Sequence, residues 1–176
     1  MWFGTDNGVS RFDGKTFRHY LCDRMGVTGL SDSYVNCICK LEDGRLLLGT
    51  RRGVNVYKPI EDRFELLHLS AYIDGEEVRT LYEWGESLYI GTNTGLYIVD
   101  KVSGHLTRSF STADSGLPHD IVRCLYCDGR YLFVGTFDGF CRYDLTTEEW
   151  ITVDLKNRSY DLRNNLILSI IPSPFD

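Results

Sequence analysis

Four times along the chain an apolar pair runs into Gly-Thr, two variable residues, a second Gly and another apolar residue. The four stretches are Trp2-Phe3-Gly4-Thr5-Asp6-Asn7-Gly8-Val9, Leu47-Leu48-Gly49-Thr50-Arg51-Arg52-Gly53-Val54, Tyr89-Ile90-Gly91-Thr92-Asn93-Thr94-Gly95-Leu96 and Phe133-Val134-Gly135-Thr136-Phe137-Asp138-Gly139-Phe140. Their leading glycines fall at 4, 49, 91 and 135, spaced 45, 42 and 44 residues apart. Recurrence at so steady a spacing marks an internal repeat. After the second Gly, polar and apolar positions alternate, as in Val9 to Asp13, Val54 to Tyr57, Leu96 to Asp100 and Phe140 to Asp144. That is the period of a strand. A large apolar residue then follows a polar turn, at Phe17, Phe64, Leu106 and Trp150.

A further element precedes each Gly-Thr strand. An apolar anchor stands five residues before a β-branched one in Leu30 with Val35, Leu117 with Val122 and Leu162 with Ile167, while the third unit keeps only Val78. Two residues beyond the branched position lie Cys37, Thr80, Cys124 and Ser169, all small. A position restricted to small side chains in every unit is expected to be crowded.

Each repeat thus reads as four short strands, and no helical period runs over ten or more residues. The Thr-x-x-Gly between second and third strands is expected to be a tight hairpin with its closing Gly at positive φ. Four-stranded units of about 40 to 50 residues are the mark of β-propeller blades, whose sheets cover their faces against one another. The fold class expected is all-β, a β-propeller built of four-stranded antiparallel blades, about four repeat lengths long. Residues 1–176 read as one propeller segment. Its repeats are 1–34 (a partial blade with strands two to four), 35–77, 78–120, 121–165, and 166–176 as the first strand of a next blade.

Composition narrows the function. A formal charge of −6, with Arg51-Arg52 as the densest basic spot, excludes the phosphate-neutralising surface of a nucleic-acid binder. No apolar run approaches the roughly 18 residues of a membrane helix; Leu166 to Ile171 is interrupted by Ser169, so no direct membrane insertion is expected. Met1-Trp2-Phe3-Gly4-Thr5 lacks the basic and apolar regions of a leader, which reads either as a cytoplasmic protein or as a piece of a longer chain. The repeats, cut out of phase with the blades, favour the piece.

The six cysteines carry little chemistry on this reading. Cys37 and Cys39 share a strand face, too close along the chain for an ordinary disulfide. Cys124-Leu-Tyr-Cys127 has metal-site spacing but stands alone, and His19, His68, His105 and His119 are scattered. Small buried hydrophobes are expected, with no metal and no cofactor.

The absence of a Trp-Asp ending or a Gly-Gly doublet sets the chain apart from WD40 and kelch blades. Met1-Trp2-Phe3-Gly4-Thr5 through Phe12-Asp13-Gly14, and Glu42-Asp43-Gly44-Arg45-Leu46-Leu47-Leu48-Gly49-Thr50 with Leu47 where a Trp is usual, resemble the two-component regulator propeller repeat. Gly29-Leu30-Ser31-Asp32 and Gly116-Leu117-Pro118-His119 resemble its loop before the first strand. The resemblance implies the periplasmic or extracellular sensor of an inner-membrane hybrid two-component histidine kinase of Bacteroides type. It further implies a seven-bladed ring that detects oligosaccharides. No kinase, receiver or DNA-binding motif is read in the chain itself.

In propellers the turn between second and third strands and the loop joining blades share one face around the channel. Candidate ligand contacts on it are Asp6, Asn7, Arg51, Arg52, Asn93, Thr94, Phe137 and Asp138. Amides and aromatics suit sugars, and Arg51-Arg52 would suit an acidic one. The expected partners are an oligosaccharide or other small polar ligand, and a second copy of the blades or of the parent receptor. A protein-interaction scaffold is the alternative. A propeller glycosidase or lyase would need flanking carboxylates. The available acids sit in turns such as Asp13-Gly14, Asp43-Gly44, Asp74-Gly75, Asp128-Gly129 and Asp138-Gly139, which is ordinary hairpin chemistry.

Overall fold

The three strands expected of the first repeat and the four of each of the next three are present. The computed structural model describes residues 1–22, 29–153 and 165–173, and among these there is no helix. The first sheet holds β1 (Trp2–Thr5), β2 (Gly8–Phe12) and β3 (Phe17–Tyr20). The second holds β4 (Val35–Lys40), β5 (Leu46–Thr50), β6 (Gly53–Lys58) and β7 (Arg63–Leu66). The third is β8 (Val78–Trp84), β9 (Ser87–Thr92), β10 (Leu96–Asp100) and β11 (Leu106–Phe110). The fourth is β12 (Val122–Cys127), β13 (Tyr131–Thr136), β14 (Gly139–Asp144) and β15 (Trp150–Val153). All four are antiparallel meanders in chain order, the blades of a β-propeller. Residues 165–173, read from the sequence as the start of a further blade, lie in no strand, and Leu162 falls outside the described residues.

The Thr-x-x-Gly hairpins form as the residue types require. In each, the Thr hydroxyl donates to the carbonyl of the closing Gly, at 2.9, 3.0, 3.1 and 2.8 Å from Thr5, Thr50, Thr92 and Thr136. The same oxygen accepts the N–H two residues on. Gly8, Gly53 and Gly139 close the turn at φ near 95° (93°, 95° and 97°), where a side chain is strained.

The core lies between the sheets, in three clusters for three interfaces. Val9, Tyr20, Leu48 and Phe64 fill the first; Leu47, Val54, Val78 and Ile90 the second; Leu96, Val122, Leu132 and Val134 the third. Leu47 and Leu48 are adjacent in β5 and face opposite interfaces, which is why the blade reads Leu46-Leu47-Leu48 rather than alternating. Each fully buried aliphatic contributes roughly 1.5–3 kcal/mol.

The first strands lie side by side, β4 against β8 and β8 against β12, while the Gly-Thr strand β1 of the partial blade lies against β4. What sets their spacing is the leading Gly of each Gly-Thr. A Cβ on Gly49 would come within 2.5 Å of Cys37 Sγ and 2.6 Å of Val78 Cγ1 of the next blade. On Gly91 it would meet Thr80 Cγ2 and Val122 Cγ1, each at 2.6 Å, and on Gly135 the Cys124 Sγ at 2.5 Å and Ile167 Cγ2 at 2.6 Å. The crowding expected at Cys37, Thr80 and Cys124 is therefore real. Gly, small residue and branched residue form one wedge, repeated at each interface. Burial in it pushes the Cys37 thiol up to about 12 and the Cys124 thiol to about 11. Cys124 and Cys127, three apart on one strand, face opposite sides, and burial raises the Cys127 thiol as well.

A second contact ties the outer strands. Asp62, at φ 51°, accepts from the hydroxyls of Tyr20 (2.7 Å) and Tyr57, and pairs with Arg11 (3.3 Å) and Arg18 of the preceding blade. Glu148, at φ 62° in the equivalent turn of the fourth blade, pairs with Arg108 of the third, which also donates to Tyr143 Oη at 2.8 Å. The tyrosine hydroxyls, with the two guanidinium groups behind them, hold the Asp62 carboxyl below the usual carboxylate range.

Two outcomes follow from these contacts. Gly91→Val should lower unfolding free energy by at least about 1–3 kcal/mol, the cost of overpacking, whereas Gly85→Asn, with nothing within 4 Å of its Cβ and a residue type that tolerates φ 58°, should cost less; denaturant midpoints read the difference. A depressed folded-state pKa gives stability that is present above the unfolded value and lost as pH falls through the folded one. The thermal midpoint should accordingly fall below about pH 4, and Asp62→Asn should flatten that fall while lowering the midpoint at pH 7.

Candidate functional site

The hairpins between second and third strands sit beside the loops entering the next blade. Gly8 N–H donates to Ser33 O (2.6 Å), Gly53 N–H to Glu76 O (2.8 Å) and Gly139 N–H to Asn165 O (2.7 Å), each acceptor lying two residues before a branched anchor. The face expected to carry the candidates is thus formed by backbone bonds that cross between blades.

The eight candidates divide on this face. Asp6, Asn7 and Arg52 are exposed turn residues. Arg51 lies over the Tyr34 ring at 4.1 Å, with Nε 3.7 Å from Glu77 Oε1. Asn93 donates from Nδ2 to Glu77 Oε2 (3.0 Å) and accepts from Arg79 Nε (2.8 Å). Thr94 Oγ1 donates to Glu76 Oε2 at 3.0 Å and lies 3.1 Å from Tyr97 Oη. Phe137 rests against His119, ring centroids 5.4 Å apart, and Asp138 accepts from Asn165 Nδ2 at 2.9 Å. Arg51 and Asn93, from neighbouring blades, are joined through one carboxylate, Glu77.

Glu77 is the hub that the sequence reading missed. It also pairs with Arg79 (3.3 Å) and accepts from Asn36 Nδ2 (3.4 Å), so four side chains from two blades converge on it. Asn36 and Arg79 reach this place because each first strand carries a β-bulge there. The register shifts between Val35 and Cys37, Val78 and Thr80, and Val122 and Cys124, leaving Asn36, Arg79 and Arg123 as the extra residues. A signal existed in the repeat: a polar residue directly after three of the four branched anchors, Val35, Val78 and Val122.

The turn acids are engaged in their own turns. Asp13 accepts N–H bonds from Lys15 and Thr16, both at 2.8 Å, which with the Thr16 hydroxyl hold its carboxyl down to about 2. Asp43 accepts from Arg45 N–H, and Asp128 from Arg130 and Tyr131 N–H, and those donors hold both below the usual range. Among the described residues no His, Cys, Asp and Glu group is placed to hold a metal ion.

The sheet order and the wedge between blades define a β-propeller of repeat type with a polar face of hairpins. Residues 29–52 match the family model of the two component regulator propeller, spanning the entry loop, β4, β5 and its hairpin. The extracellular domain of the hybrid two component system BT4673 from B. thetaiotaomicron is 26% identical, with a TM-score of 0.74 over 90% of this chain and 20% of that one. The corresponding domain of BT3049 from the same organism is 24% identical, with a TM-score of 0.76 over 99% of this chain and 23% of that one. The computationally designed Ika8 protein, 14% identical, shares the fold alone, with a TM-score of 0.56 over 85% of this chain and 44% of that one. The chain spans about a fifth of the length of the sensor domains it resembles. No curated protein matches it. The resemblance read from the repeat motifs therefore stands, in sequence over one blade junction and in fold over nearly the whole chain.

The Glu77 hub makes a direct prediction. A double-mutant cycle between Glu77→Gln and Arg79→Met should show a coupling of about 0.5–1 kcal/mol, as for a partly exposed pair within a network. Thermal or denaturant unfolding of the four proteins gives the value, and additive losses would mean the pair is idle.

Proposed function

We propose that this chain is part of the ligand-sensing propeller of a membrane-bound hybrid two-component regulator, lies outside the cytoplasm, and is non-catalytic in itself. The observation that carries the reading is the match to the extracellular domains of BT4673 and BT3049. The non-catalytic reading is supported by the aspartates of the Asp13, Asp43 and Asp128 turns, which are committed to local backbone. The ligand class is a saccharide, to which the face offers amides, hydroxyls and the Phe137 and Tyr34 rings.

The blades belong to a larger ring, seven in number by the resemblance. Arg142 occupies in the fourth blade the place of Arg11 in the first, whose guanidinium is bound by Asp62 of the next blade. Among the described residues Arg142 Nε is buried and has no hydrogen-bond partner. A following blade with an acid at the Asp62 position supplies one. On the opposite side Phe3 and Phe17, with centroids 5.9 Å apart and both exposed, form the face that a preceding blade or a second copy covers.

Binding of the complete ectodomain to an array of matched neutral, uronate-containing and sulfated oligosaccharides tests the reading, with sedimentation run with and without the best binder. Saccharide-dependent binding is expected. Indifference to every saccharide, with constitutive association, would replace the sensor by a protein-interaction scaffold.

A further inference from the structure

The repeat provides its own control for an unpaired charge. In each blade the residues on either side of the branched anchor, together with the one after Gly-Thr, make an equivalent trio. In the third blade the trio is Glu77, Arg79 and Asn93; in the fourth it is Ile121, Arg123 and Phe137. Arg79 is fully answered, with Nε on Asn93 Oδ1 at 2.8 Å and Nη2 3.3 Å from Glu77 Oε1. Arg123 stands on the same bulge with the same register, but its two counterparts are a hydrocarbon and an aromatic ring. Among the described residues it makes no hydrogen bond and no ion pair, and its charge acts on the neighbouring Cys124 thiol. It is half-buried, so its cation is partly stripped of water with no paired counter-charge among the described residues.

The residues at the equivalent positions of its own blade have the character of a ring-binding surface. Phe137, 49% exposed, leans on His119, and its N–H donates to Ile121 O at 3.0 Å, which ties the platform to the strand bearing Arg123. Ile121 N–H donates to His119 Nδ1 at 3.0 Å. The neutral imidazole therefore carries its proton on Nε2, as a donor. Asp138, the nearest acid in the hairpin, is occupied by Asn165.

We infer that Arg123, Phe137 and His119 form a subsite for an anionic ring, a sugar residue bearing a carboxylate or a sulfate. The guanidinium pairs with the anion, Phe137 covers the apolar face of the ring, and His119 Nε2–H donates to a hydroxyl. This deepens the saccharide reading proposed above and rests on it. It also moves the acidic-sugar contact from Arg51, whose charge is answered by Glu77 and Tyr34, to a residue the repeat leaves unanswered.

The test is calorimetric titration of the complete ectodomain with three probes of matched length: a neutral galacto-oligosaccharide, an oligogalacturonide and a sulfated chondroitin oligosaccharide. One or both anionic probes should bind more tightly than the neutral one, and the stronger identifies carboxylate or sulfate as the source. Arg123→Gln should weaken that probe roughly 10–100-fold, the range for a hydrogen bond to a charged group. It should weaken the neutral probe far less and move the thermal midpoint little, since among the described residues no hydrogen bond or ion pair is lost. Ile121→Glu, which installs the acid of the third blade, should abolish the anionic preference with Arg123 in place; if that variant does not fold, Arg123→Gln decides alone. Equal binding of all three probes, or an anionic preference indifferent to Arg123→Gln, overturns the subsite and leaves the sensor reading standing. Binding of none overturns the subsite, and only silence across the full saccharide array overturns the sensor reading.

Discussion

The structure depends on the absence of one atom at each blade junction. Gly49, Gly91 and Gly135 let the branched residue of the next blade approach until a Cβ would overlap it, and the small residue of the same blade's first strand closes the gap from the other side. A four-stranded meander has two apolar faces and cannot cover either alone. The wedge sets how near the inner strands come, and that distance determines whether the side chains of the wider interface, such as Trp2 on Tyr57 or Phe110 on Tyr143, meet at van der Waals separation. Stability here is a property of junctions, and the sheets are their spacers.

The same junction positions the candidate site. Because the hairpin N–H of Gly8, Gly53 and Gly139 reaches the carbonyl two residues before the next branched anchor, those hairpins and the segments entering the next blade are locked in register. The bulge after the anchor then turns Asn36, Arg79 and Arg123 out of the sheet pattern. Chemistry is thus free to vary at three positions per blade while the backbone stays constant. That is how one repeat presents a neutralised network in the third blade and an unneutralised cation in the fourth.

Strands, hairpins and the small-residue position were legible in the sequence because they are local or periodic. A Thr two residues before a turn N–H and three before a Gly closes its own hydrogen bonds, and alternation places side chains without reference to distant residues. The hairpin position of Arg51, Asn93 and Phe137 was legible, but nothing local says that Arg51 and Asn93 share Glu77 across a blade boundary. Along the chain nothing distinguishes Glu77 and Arg79 from other polar residues beside a strand start. Asp62 lies in a turn, yet it draws on Tyr20, Arg11 and Arg18 from more than 40 positions away.

The sequence by itself determined the repeat, its period, the four-strand unit and the residues that must stay small, since those follow from backbone conformation and from patterns read along one chain. Only the tertiary structure decided which charges are answered. A guanidinium is neutralised or left bare by what the neighbouring blade and hairpin place beside it, and that proximity comes from packing sheets some 43 residues apart in the chain, as Cys124 lies against Ile167.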